Sequence, residues 1–201
     1  IPSNIVNSIV EDKFGYLWVG TSGYSVLRFD KKTGLFAKPV QEGTKTILDL
    51  VLDKNHILWA GRQGGGLLKV NPITLTYEFD RRYADLYAKK LPHATVTSLF
   101  RDSDDNIWFG SWDKLLYKYD LAENKEHAFG EGSDGTAFPS DEVLCFGEDR
   151  YKKLWMGTRR SGLVIFDKKR NRFFNYRHDP ARDGTIADNQ VNCIYIDKVG
   201  A

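Results

Sequence analysis

Five side chains in this sequence have the chemistry of recognition: Tyr24, Arg62, Trp112, Arg159 and Arg160. Flat apolar rings beside planar guanidinium donors suit a polyhydroxylated ligand such as a sugar, which stacks on the ring and hydrogen-bonds through its hydroxyls. Asp113 and Lys114 follow Trp112, and Gln63 follows Arg62. Further polar groups come from Arg81, Arg82, Tyr83, His93, Arg177, His178 and Asp179. The expectation is that Tyr24, Arg62, Trp112, Arg159 and Arg160 contribute to a ligand or partner surface. The plainer alternative makes them ordinary loop residues, with Trp112 packed on its own strands.

Catalytic chemistry is much less legible. No Ser-His-Asp arrangement can be argued, and His56, His93, His127 and His178 lack metal-ligand spacing. Asp102-Ser103-Asp104-Asp105-Asn106 imitates the start of a calcium loop, and Asp113 falls at its twelfth position. Ile107 occupies the place that needs glycine, and no flanking helix is expected. Gly61 to Gly66 is glycine-rich, but no helix follows to complete a phosphate site. Neither a cofactor nor a metal is expected, and no catalytic residue is assigned.

The elements that must position these side chains come from a repeat. Trp-x-Gly occurs at Trp18 and Gly20, Trp59 and Gly61, Trp108 and Gly110, and Trp155 and Gly157, with 41, 49 and 47 residues between tryptophans. Six residues before each tryptophan stands Asp12, Asp53, Asp102 or Asp149. Twelve before stands Val6, Ile47, Val96 or Val143, and nine before stands Ile9, Leu50, Leu99 or Phe146. A period of this length in β-forming residues marks a toroidal array of four-stranded sheets, or blades. Turn residues divide the first copy into strands at 6–11, 16–21, 25–30 and 35–40.

Apolar residues such as Ile47, Leu48, Leu50, Val51 and Leu52 fall on both strand faces, as required of sheets covered on both sides. Each indole, at ~25 cal/mol per Å2 over ~200 Å2, contributes ~5 kcal/mol gross before entropy is subtracted. The glycines of Trp-x-Gly are expected to admit close backbone approach between sheets. Hairpin order places the aspartate turns on one rim. The variable turns, with the five candidate residues, fall on the other.

The expected architecture is an all-β propeller fragment with blades at about 5–40, 46–80, 95–129 and 142–177. Val191, Ile194 and Asp197 begin a fifth copy whose tryptophan would fall at 203, so 190–201 reads as the first strand of a further blade. Ala84 to Leu91 has helical spacing at Tyr83, Leu86, Tyr87 and Lys90. Cys145 and Cys193 share one repeat position and read as small buried residues that do not face each other. Twenty-nine basic residues against 27 acidic give a net charge of +2, which calls for neither nucleic acid nor an anionic membrane. No run of about 18 apolar residues suggests a membrane span.

The pattern from Val6 through Asp12, Gly15 and Leu17-Trp18-Val19-Gly20-Thr21 to Leu27, Phe29 and Asp30 resembles the two-component regulator propeller repeat. Asp149 to Thr158, with Ser161-Gly162-Leu163 and Phe166-Asp167, resembles it equally, as does the connector His178 to Ile186. Departures are Arg62 for the usual Thr, His56 for Gly, and Asp113-Lys114-Leu115 for Gly-Gly-Leu. The resemblance implies the extracytoplasmic, periplasmic part of an inner-membrane hybrid two-component histidine kinase of Bacteroidetes type. It implies seven blades, no catalysis by this region, oligosaccharide sensing, and signalling to the kinase through propeller packing or a homodimer partner.

Two rivals differ in class. A protein-interaction scaffold would use the same variable rim. A sialidase-like glycosidase would need an Asp-box, but Val10, Val51, Phe100 and Gly147 replace its leading Ser or Thr. It would also need two positioned carboxylates, and no pair can be nominated.

Overall fold

The computed structural model describes residues 3–37, 45–79, 95–130, 137–139 and 141–197. The helical expectation for 84–91 lies outside them. Two compact units divide between Arg101 and Asp102. The strands form four sheets of four, each ordered as in the sequence.

In the first unit, β1 (Val6–Glu11), β2 (Tyr16–Thr21), β3 (Ser25–Asp30) and β4 (Leu35–Ala37) make the first blade. The second blade is β5 (Ile47–Leu52), β6 (Leu58–Arg62), β7 (Gly66–Val70) and β8 (Tyr77–Phe79). The third begins with β9 (Val96–Arg101). Its β10 (Ile107–Ser111), β11 (Leu116–Asp120) and β12 (Lys125–Phe129) belong to the second unit. There too lies the fourth blade, β13 (Val143–Glu148), β14 (Leu154–Thr158), β15 (Leu163–Asp167) and β16 (Arg172–Tyr176).

The fixed distance from aspartate to tryptophan has a direct cause. Asp12 Oδ1 accepts the N–H groups of Phe14 and Tyr16 at 2.9 and 3.1 Å, closing the β1–β2 turn. Its Oδ2 accepts the Trp18 indole N–H at 2.8 Å. Asp53, Asp102 and Asp149 do the same for Trp59, Trp108 and Trp155 at 2.9, 2.7 and 2.9 Å. A buried carboxylate is thus satisfied, and the indole polar atom is matched before the ring is buried. In these turns Gly15, His56, Asp105 and Lys152 all take positive φ, between 62° and 84°. His56 therefore keeps the turn geometry that glycine would adopt more cheaply.

Trp18, Trp59 and Trp108 are at most 1% exposed. Trp155 is only half-buried. The glycine two residues on is a socket for the next repeat. A Cβ on Gly20 would stand 2.6 Å from Ile47 Cγ2, and one on Gly61 would stand 2.9 Å from Val96 Cγ1. A β-bulge interrupts the first strand between Val6 and Ser8, Ile47 and Asp49, and Val143 and Cys145.

The residue after each bulge bonds forward to the following blade. Ser8 Oγ accepts Leu50 N–H at 3.2 Å, and Asp49 Oδ2 accepts Leu99 N–H at 2.7 Å. Ser8 also donates to Asp49 Oδ1 at 2.8 Å, so side chains at this shared repeat position do meet. Burial raises the Asp49 carboxyl above its ordinary value, against the hydrogen bonds from Leu99, Ser8 and Leu50.

In the second unit, an aromatic cluster joins the third and fourth blades. Phe166 stacks on Phe173 at 4.5 Å between centroids, and Phe129 lies 5.6 Å from both Trp108 and Phe166. Phe138, from the connector, is fully buried against Phe173 at 5.8 Å.

Two expectations need correction. Residues 190–197 form no strand. A strand exists through its ladder, and among the described residues no strand pairs with this segment. The segment nevertheless meets the fourth blade through Gly162 N–H to Asn189 O at 2.8 Å and Val191 N–H to Thr158 O at 2.9 Å. Val191 Cγ1 would stand 2.8 Å from a Cβ on Gly157. Cys193 is exposed and Cys145 half-buried; both are free thiols. Partial burial pushes the Cys145 thiol up to about 11.

Candidate functional site

In the second unit, three variable segments converge on a cavity of about 210 Å3 lined by Trp112, Lys114, Asp141, Glu142, Arg159 and Arg160. Trp112 and Lys114 come from the β10–β11 turn, Arg159 and Arg160 from the β14–β15 turn, and Asp141 and Glu142 precede β13. The Lys114 backbone sits at φ 65°, held by its N–H to Ser111 O at 3.0 Å. That tight turn projects Trp112, which is 52% exposed.

The β14–β15 turn is held by two carboxylates. Asp141 Oδ2 accepts the N–H groups of Arg160 and Ser161, both at 2.7 Å, and Oδ1 accepts Glu142 N–H at 2.8 Å. Burial opposes ionisation of Asp141, yet these donors and the Thr158 hydroxyl outweigh it and lower its pKa. Asp141 therefore stays charged and fixes the β14–β15 turn. Glu142 holds the Arg159 side chain in a fork, Nε to Oε2 at 2.6 Å and Nη2 to Oε1 at 3.0 Å. Arg159 N–H also reaches Glu142 O at 3.0 Å. The arrangement presents one exposed indole, one clamped guanidinium and, on the same wall, the Arg160 side chain.

The structure thus brings Trp112, Arg159 and Arg160 together. Tyr24 and Arg62 belong to the first unit. Tyr24 is 42% exposed in the β2–β3 turn. Arg62 is 7% exposed and donates from Nη2 to the carbonyl of Gly65 in its own turn. Thr21 and Thr158, at the same repeat position, close their turns through Ser25 O and Gly162 O at 3.2 and 2.9 Å. Arg62 does that work with a longer arm, and Gly65 makes room, since a Cβ there would lie 2.8 Å from Arg62 Nε. This corrects the expectation that Arg62 faces a ligand.

Sequence reasoning missed Asp141 and Glu142. The signal was available: Ile5, Thr46 and Glu142 each stand thirteen before a tryptophan. Each accepts, at its carbonyl, the N–H of the residue four after that tryptophan, Ser22, Gln63 or Arg159. An acidic pair at that place must therefore face the arginine pair.

Opposite in character is the cluster of Asp102, Asp104 and Glu148, whose oxygens lie within 4.8 Å of one another. Lys168 Nζ stands among them at 2.7, 3.4 and 2.6 Å, and Lys152 reaches Asp104 at 2.5 Å. The cluster is an internal ion network bridging the third and fourth blades.

Residues 1–23 and 90–113 match the family described as two component regulator propeller. Nothing among curated proteins matches this chain. Among solved structures, the extracellular domain of a protein described as a hybrid two component system from B. thetaiotaomicron is similar. It shares 18% identity at TM-score 0.77, covering 100% of this chain and 25% of that one. The extracellular domain of a one component system from the same organism shares 19% identity at TM-score 0.72, covering 97% and 25%. Virginiamycin B lyase from Staphylococcus aureus shares 8% at TM-score 0.66, covering 87% and 56%. This chain therefore spans about a quarter of the first two. Likeness at such identity carries the fold. The chain is built of β-propeller blades, and two of its segments, residues 1–23 and 90–113, match the two component regulator propeller family.

Proposed function

We propose that this region is the ligand-sensing propeller of a two-component signalling receptor and that it binds an oligosaccharide, without catalysis, at the Trp112 cavity. The carrying observation is that the exposed Trp112 lines one cleft with Arg159 and Arg160, whose turn is anchored by Asp141 and Glu142. At about 210 Å3 the cavity is smaller than the ~300–1,000 Å3 of sites that enclose drug-sized ligands. It suits one sugar ring, such as a chain end. The extracellular domains among its structural relatives support an extracytoplasmic location. Among the described residues no helix is long and apolar enough to cross a membrane.

The partner surface in this reading is the exposed apolar edge of β1, where Val6 and Ile9 are 42% and 58% exposed. It would take a further blade of the same chain or a homodimer partner. Signalling then requires that ligand bind one packing arrangement more tightly than another.

Tryptophan fluorescence titrated with defined oligosaccharides tests the site. A saturable change is expected in the parent chain and none in Trp112→Ala, whose folding stability should stay within about 0.5 kcal/mol. An unaltered response in the variant would refute the site. Chromatography of the recovered glycans should show no cleavage; cleavage products would favour a glycosidase.

A further inference from the structure

We propose that the Trp112 cavity selects an anionic sugar, one whose ring carries a carboxylate or sulfate, with Arg160 and Lys114 as the specificity-determining residues. The inference rests on the reading of this cavity as the ligand site and adds the charge of the ligand.

Most of the charges that line the cavity are already committed to partners within the protein. Five ionisable side chains line the cavity: Lys114, Asp141, Glu142, Arg159 and Arg160. Both Asp141 oxygens are taken by backbone N–H groups at 2.7 to 2.8 Å. Glu142 and Arg159 neutralise each other through two bonds at 2.6 and 3.0 Å. Among the described residues, neither the Arg160 guanidinium nor the Lys114 ammonium has a hydrogen-bond or ion-pair partner. Every carboxylate of the lining is therefore occupied while two cations remain open. Arg177, whose Nη2 lies 3.3 Å from Arg160 O, adds a further positive charge beside them.

The committed groups also stiffen the wall that carries Arg160. Its backbone is pinned by Asp141 while its side chain stays available, which reduces the ordering cost of binding. A guanidinium offers a planar fork matched to a carboxylate or sulfate, and Lys114 supplies a second point charge. Trp112 offers the sugar a stacking face. A neutral sugar could use the ring, but it would leave both cations without a counter-charge.

The test uses calorimetric titration of the 201-residue chain with trigalacturonate. Its comparisons are the same trimer with carboxyls reduced to primary alcohols, a sulfated neutral trimer, and inorganic sulfate. An acidic or sulfated trimer is expected to bind at least about tenfold tighter than the neutral one, a preference that shrinks as salt is raised. Arg160→Gln and Lys114→Gln should each reduce that preference, weakening binding of the anionic trimer by a larger factor than binding of the neutral one. Whichever anionic trimer binds better identifies the anion. Equal affinity for charged and neutral trimers, lost in Trp112→Ala, would overturn the anionic inference and leave the site standing. So would a preference unaffected by both charge variants, or sulfate binding as tightly as the sugars. Binding by none of the probes would overturn the inference, and a parent chain that gives no saturable fluorescence change with any oligosaccharide, charged or neutral, would separately remove the site.

Discussion

At the scale of single residues, glycines with similar sequence surroundings have different reasons to be glycine. Gly34 sits at φ 72° with open space around its missing Cβ, so Gly34→Ala is purely a backbone cost, about 1 kcal/mol. Gly61 has no such backbone demand, but its socket is filled by Val96 Cγ1 2.9 Å from where a Cβ would be. Gly61→Ala should cost about 1–3 kcal/mol by overpacking. Adding Val96→Ala should offset part of that loss, while the same addition to Gly34→Ala should simply sum. Urea unfolding of the parent, the three single variants and the two double mutants measures this, and strict additivity at Gly61 would contradict the socket. The distances from aspartate to tryptophan and from tryptophan to glycine were legible because one contact set recurs in every copy. Arg62 was misread because its type suggests exposure, whereas its position requires a side chain that folds back and closes a turn.

Between elements, the bonds joining the third and fourth blades of the second unit are partly ionic and respond to acid. For Asp102, burial opposes ionisation but Lys168, Trp108 and Asn106 outweigh it, so its pKa lies below 3.8; Lys152 chiefly lowers that of Asp104. Depressed carboxylates contribute stability that is present above 3.8 and is lost as pH falls through their folded values. Asp49 has the opposite sign: its raised pKa makes ionisation in the folded state a cost that appears as pH rises above 3.8. Lys168→Met should cost about 3 kcal/mol at neutral pH by stranding Asp102 and Glu148. That difference from the parent should shrink below pH 3.8, where the stranded Asp102 carboxylate becomes protonated. Denaturant midpoints at both pH values check it; an equal deficit at each would deny the network its electrostatic role. Lys31 and Glu11 repeat the Lys168–Glu148 pair within the first blade, but the bond from Lys168 to Asp102 could not be read from one copy, because it spans 66 residues and two blades. Phe138 escaped notice for the same reason: it lies in a connector where no repeat position points to burial.

On the scale of the molecule, the repeat and the blade order were plain in the sequence, whereas the Trp112 cavity was only half visible. Variable turns named Trp112, Arg159 and Arg160, but the carboxylates that organise them lie before β13 and became evident only with the chain folded. The partner edge of β1 can be tested directly. Ile9 is 58% exposed, and a large apolar residue there favours association through that edge. Light scattering after size exclusion should show concentration-dependent self-association of the parent chain, weakened in Ile9→Glu. A parent that stays monomeric at every concentration would argue against this edge as a docking surface.

The forward bonds of Ser8 and Asp49, and the sockets of Gly20, Gly61 and Gly157, all look to the following copy. Such an arrangement can lengthen or shorten in evolution only by whole modules. A duplicated unit arrives with both its receptacle and its plug, so the new junction is ready-made. A break within a unit separates the two and leaves a cleft with nothing shaped to fill it.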